Sequence, residues 1–271
     1  MDYMTKLQEA MNDMMNGNDL KALPIMQEII HTIETDDAYK AEEGKTPVAF
    51  DEEFEYLLYS VREDTEDLQW IREPISLIYV FTATLHMNLG DLDAAIANLE
   101  KAMKWNPVSA KAQLAMAEAY ALKHDQDKFY KYTMAAFPNI FHSEELGQAY
   151  RNLGAYYADK DVVPASISCY GMSMLYEQSE DALNGLAALQ KKHPEKTHMP
   201  TDDELLALSK EYGFPITPDP DVLTTACLQV EAARAQGDEE HAKRFLDIIY
   251  DLKQGEAFKK FEENSKKNEE K

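Results

Sequence analysis

Cysteine is nearly absent from this chain, and neither thiol suggests a bridge. Cys169 and Cys227 both lie inside helical patterns, where a thiol behaves as a small apolar side chain. Free thiols in a reducing, cytoplasmic compartment are expected. Glycine (10 residues) and proline (11) are scarce, so the turns that many short strands require are missing and helices are favoured. Long apolar runs are also lacking. The stretch from Ile75 to Leu85 is broken by Ser and Thr and closed by His86, short of the ~20 residues a spanning helix needs. The opening Met1-Asp2-Tyr3-Met4 has neither a basic nor an apolar leader region, so no signal peptide is expected. Basic residues are outnumbered, 27 Lys and Arg against 50 Asp and Glu, and no Lys/Arg stripe reverses the net charge of -23 locally. Such a surface repels phosphate backbones and argues against nucleic-acid binding.

What the chain does have is apolar side chains, 45% of the total, and a repeating arrangement of them. This share belongs to ordered globular chains, and the length suffices for a sizeable core. Ile78, Thr82, Leu85 and Leu89 are spaced for one face of a helix. Gly90-Asp91 interrupts, and Leu92, Ala95, Ile96, Leu99, Ala102 and Met103 resume the period before Asn106-Pro107. From Ala83 the design recurs 34 residues on at Ala117, with a turn at His124-Asp125 and Ala136 in place of Ala102. It recurs again with Leu146, Ala149, Tyr150, Leu153, Gly154 and Tyr157, a turn at Asp159-Lys160-Asp161, then Ile167, Tyr170 and Met174. Ala226, Val230, Ala233, Gly237, Asp238, Ala242, Leu246 and Ile249 restate it near the C terminus, and Ala10, Gly17, Ala22, Met26 and Ile29 give an echo near the start.

These residues resemble the tetratricopeptide repeat family, with Ala83, Gly90, Asp91, Ala95, Ala102 and Pro107 forming the best-matched unit. His86 and Tyr79 depart from the usual Tyr and Trp, and Phe129 replaces a small residue, which implies looser packing there. The resemblance implies an all-α, right-handed superhelical solenoid of antiparallel helix pairs, expected here as one domain over residues 1–258. Two irregular stretches interrupt it. The first, 36–73, contains a loop from Tyr39 to Phe50 and a helix presenting Phe54, Leu57, Leu58 and Val61. The second, 178–220, contains a helix from Ala182 to Lys192, a capping box from Thr201 to Glu204, and a helix from Leu205 to Tyr212. It reads as a distorted repeat. The polar segment 259–271 is expected to be a disordered tail. The small residues Ala83, Ala117 and Gly154 let facing helices approach. Gly90 and Gly237 are expected in the left-handed conformation.

No residue pattern supports catalysis or a cofactor. The seven histidines show no metal-ligand spacing, the paired glutamates are adjacent in sequence and face apart, and nucleophile elbows and phosphate-cradling glycine loops are missing. A non-enzymatic protein-binding adaptor or scaffold is therefore expected, with a peptide-sensing regulator or an unrecognised enzyme as alternatives. The resemblance implies a concave groove lined by the first helix of each pair: Val80, Thr84, Met87 and Asn88, then Lys111, Leu114 and Glu118, then Arg151, Asn152, Ala155 and Asp159, extended by Glu231 and Arg234. The Lys/Asn/Arg set with which some relatives clamp a chaperone tail is not reproduced, Val80 standing where its first Lys is expected. Apolar groove residues beside charged ones point to an extended or helical peptide carrying apolar anchors and basic residues. The acidic stretch from Glu34 to Glu73 suits a basic partner, and its Tyr39 to Phe50 loop is placed to fold over the groove.

Overall fold

A computed structural model describes residues 3–195 and 198–253. It is almost wholly helical, with thirteen α-helices and one two-stranded sheet among the described residues. The chain divides into two compact units, Met1–Tyr132 and Thr133–Lys271. The expected tail at 259–271 lies outside the described residues, as do Phe258 and Phe261.

In the first unit α1 (Tyr3–Met15) packs on α2 (Asp19–Thr35), and α4 (Ile75–Asn88) packs on α5 (Leu92–Trp105). Contacts of α2 with α4 and of α5 with α6 (Ala110–Leu122) join them, and α7 (Gln126–Ala136) follows. Small residues make the approach close: Ala10, Ala22, Ala83, Ala95, Ala102 and Ala112 are fully buried among Met26, Ile75, Leu85 and Leu99. Each such residue removes apolar area from water while letting backbones come near. The expected turns are present. Gly90 has φ +81° and His124 φ +57°, the left-handed region that ends one helix and reverses the chain. Asp91 caps α5, its carboxylate accepting from the Ala94 N–H at 3.1 Å, and Ser109 caps α6 at 3.2 Å from the Ala112 N–H. Phe129 is buried, so its large ring is accommodated within the packing.

The irregular stretch 36–73 is more ordered than a loop and a helix. After a 3-10 turn at Asp37–Tyr39, β1 (Thr46–Val48) pairs in parallel with β2 (Leu68–Trp70), with α3 (Glu53–Ser60) between them. The β-hydrogen bonding was not visible in three-residue segments with no alternation. Val48, Phe50 and Val108 form a small separate core with Tyr56, Tyr59, Leu68 and Trp70 around it. The Tyr56 and Trp70 rings stack at 4.5 Å, and the Arg72 guanidinium covers the Trp70 face at 3.5 Å.

In the second unit α8 (Ser143–Asp159) packs on α9 (Val163–Tyr176), and α12 (Pro220–Ala235) on α13 (Glu239–Lys253). Asp161 (φ +60°) and Gly237 (φ +74°) close the two turns. The Tyr170 ring of α9 fills the space left by two glycines. A Cβ on Gly154 of α8 would come within 2.6 Å of it, and one on Gly185 of α10 (Glu180–Lys192) within 2.4 Å. The stretch expected to be one distorted pair behaves differently. α10 packs on α8 and α9, whereas α11 (Asp202–Tyr212) packs on α9, so the two helices do not mate as α8 and α9 do. Pro194 and Pro200 lie in the connection between them, which runs from Lys192 to Asp202. The Thr201–Glu204 capping box opens α11, and Gly213 at φ +75° closes it. The last pair returns to the beginning of this unit: α12 touches the 3-10 turn Phe137–Asn139, and Asp251 of α13 accepts from the Ser143 N–H at 3.0 Å and hydroxyl at 2.9 Å.

Candidate interaction surfaces

The residues expected to line a groove divide between the two units. On α4 and α6, which pack against each other, Val80, Met87 and Leu114 are buried, and Leu114 keeps only 1% of its surface. These three belong to the packing between helices and offer nothing to a ligand. Thr84 is half-buried, its hydroxyl donating to the Val80 carbonyl at 3.1 Å. Asn88 and Glu118 are exposed. The protein surrounding the Glu118 carboxyl still raises its pKa. Lys111, half-buried, donates to the Glu52 carboxylate at 3.3 Å, so residues of the 36–73 stretch occupy the space beside the start of α6.

In the second unit Arg151 is half-buried and donates to Glu177, at the end of α9. Asn152 donates to the Thr133 hydroxyl at 3.3 Å, while Ala155 and Asp159 are exposed. Glu231 and Arg234 are exposed on α12, the latter 3.8 Å from Glu239 of α13.

Two clusters in the first unit escaped the sequence reading. In the first, Glu55 is 4% exposed, and its Oε2 accepts from the N–H groups of Asp51 at 2.7 Å and Glu52 at 3.0 Å and from the Asn106 amide at 2.9 Å. Asn106 also donates to Asp51 Oδ2 at 3.3 Å, and Asp51 Oδ1 accepts from the Leu77 N–H at 3.1 Å. Burial, together with the nearby Asp51 charge, pushes Glu55 up to about 7, and burial raises Asp51 as well. The carboxylates tie α3 to the start of α4 and the end of α5. Their i, i+4 spacing and the Glu52/Glu55 capping box were readable signals, but nothing local announced Asn106 as the shared donor. The second cluster joins Glu34, Tyr79 and Lys101 across three helices, which no short-range pattern encodes.

Both cysteines are free, Cys169 buried and Cys227 exposed. Among the described residues no helix is long and apolar enough to cross a membrane. No protein-family model matches the chain, and no curated protein matches it significantly.

Proposed function

We propose that this chain is a non-enzymatic adaptor, a tetratricopeptide-like solenoid of antiparallel helix pairs whose first helices form a concave docking groove for a peptide or partner protein. The observation that carries this reading is that α4 packs on α6 as well as on its own partner α5. First helices of successive pairs lying side by side give repeat arrays their extended binding face. The burial of Val80, Met87 and Leu114, and the engagement of Lys111 by Glu52, narrow the available contacts on α4 and α6 to Thr84, Asn88 and Glu118. That makes polar and charge-based recognition of a basic segment the working mode, in keeping with the net charge of -23. The free thiols fit a reducing, cytoplasmic setting.

The test is selection from a displayed random-peptide library with the purified chain. A shared basic motif should emerge, and its affinity should fall with added salt and in an Asn88→Arg, Glu118→Lys variant with an unchanged helical spectrum. Enrichment of no motif, or equal affinity of the variant, would overturn the groove assignment.

A further inference from the structure

Within the first unit a cavity of about 400 Å³ opens beside Trp105, at the end of α5. This is the size range of small-molecule sites. Its aromatic surface comes from Tyr39, Tyr79 and Trp105, and Ile33 and Pro47 extend the apolar wall. The floor is held in place. Tyr79 is 2% exposed, and its hydroxyl donates to Glu34 at 3.1 Å. β1 is held at the mouth because the Ala49 N–H, one residue beyond the strand, donates to the Trp105 carbonyl at 2.8 Å.

The charges around this aromatic surface are unequal. Glu34 is already engaged, accepting from Tyr79 and from Lys101 Nζ at 2.5 Å, and the hydrogen bond from Lys101 holds its carboxyl below the usual range. Lys104 also lines the cavity and has no hydrogen-bond or ion-pair partner among the described residues. The cavity thus carries two ammonium groups against one carboxylate, in a chain where acids outnumber bases almost two to one.

We infer that this cavity binds a small organic anion with a flat apolar body, an aryl carboxylate. Its ring lies against the half-buried Tyr39 and Trp105, over the buried Tyr79, and its carboxylate meets the Lys104 ammonium. An organic cation is disfavoured because Glu34, the one carboxylate of the lining, already accepts from two donors and two lysines share that lining, Asp36 and Glu73 acting on the Tyr39 hydroxyl from outside it. An aliphatic anion forgoes the aromatic contact, which contributes beyond buried area alone. The inference goes beyond peptide docking and does not depend on it.

The experiment is calorimetric titration of the intact chain with 2-naphthoate and, separately, with 2-naphthylmethylammonium. The naphthoate should bind saturably at one site and the ammonium should not. Lys104→Glu, a change at an exposed side chain that leaves the packing intact, should weaken naphthoate by about tenfold or more, the range expected when a charge-assisted contact becomes repulsive. Tyr39→Ala should weaken it too, by removing one aromatic wall. Absence of saturable naphthoate binding, equal affinity for the two probes, or unchanged affinity in either variant would overturn the assignment.

Discussion

The pair α8–α9 and the segment 36–73 are held together by opposite means. Where α9 meets its neighbours the tightest fit is steric, beside the Arg151–Glu177 ion pair: Tyr170 occupies room left by Gly154 of α8 and Gly185 of α10. The segment 36–73 fastens to its neighbours through a buried polar cluster in which two carboxylates share one asparagine. Shape complementarity is indifferent to pH. A buried carboxylate pair is not, because taking a charge out of water is costly and binding a proton relieves that cost. The same chain therefore has a joint that senses volume and a joint that senses protons.

The largest expected effect comes from filling the space beside Tyr170. Gly154→Leu puts a Cβ 2.6 Å from that ring and three further carbons behind it. A better helix former gains about 0.8 kcal/mol over glycine. Overpacking costs about 3 kcal/mol, so the steric term wins. The melting temperature should fall by roughly 5 to 10 °C. In a Tyr170→Ala background the same change should cost much less, and strict additivity of the two would break the steric account.

The second prediction concerns pH. Because Glu55 is raised from its ordinary 4.5 to about 7 in the folded protein, the folded state holds a proton that the unfolded chain releases between those values. Its contribution is fully present below about pH 4.5, declines as pH rises, and is lost above about pH 7. The shift corresponds to on the order of 3 kcal/mol. Glu55→Gln cannot ionise, so the difference in stability between wild type and variant, measured by urea unfolding from pH 4.5 to 8, should change across that window. A constant difference would mean that the cluster does not take up a proton, and the contrast between the two joints would fail.

Sequence legibility followed interaction range. The turns at Gly90, His124, Asp161 and Gly237, and the Thr201–Glu204 box, were readable because each is decided within a few residues. Core positions at helical period were readable for the same reason, Ala83, Ala117 and Leu153 all being fully buried. The surface set was less legible, since helical period gives a residue's direction but not what lies in front of it. Leu114 was expected in a groove and lies inside, and Lys111 meets a segment whose path depends on strands of three residues. The sharing of Asn106 by Asp51 and Glu55, and the engagement of Glu34 by Lys101, join residues far apart in sequence, so only the folded chain reveals them.

The smallest effect is expected at a turn, where the comparison between shape and charge can be sharpened within one helix pair. Asp91 Oδ1 accepts from the Ala94 N–H, and its other oxygen lies 3.7 Å from His86 Nδ1. If α4–α5, unlike α8–α9 with its Arg151–Glu177 ion pair, is held by shape and local hydrogen bonding alone, only the cap should matter. Asp91→Ala should then cost about 1 kcal/mol, the usual value of an N-cap. Asp91→Asn should restore nearly all of that, because the amide oxygen accepts the same bond without the charge. Thermal unfolding of the two variants checks this. Equal losses in both would show that the Asp91 charge, acting on His86 or on the helix start, does part of the holding, as the Arg151–Glu177 ion pair does between α8 and the end of α9.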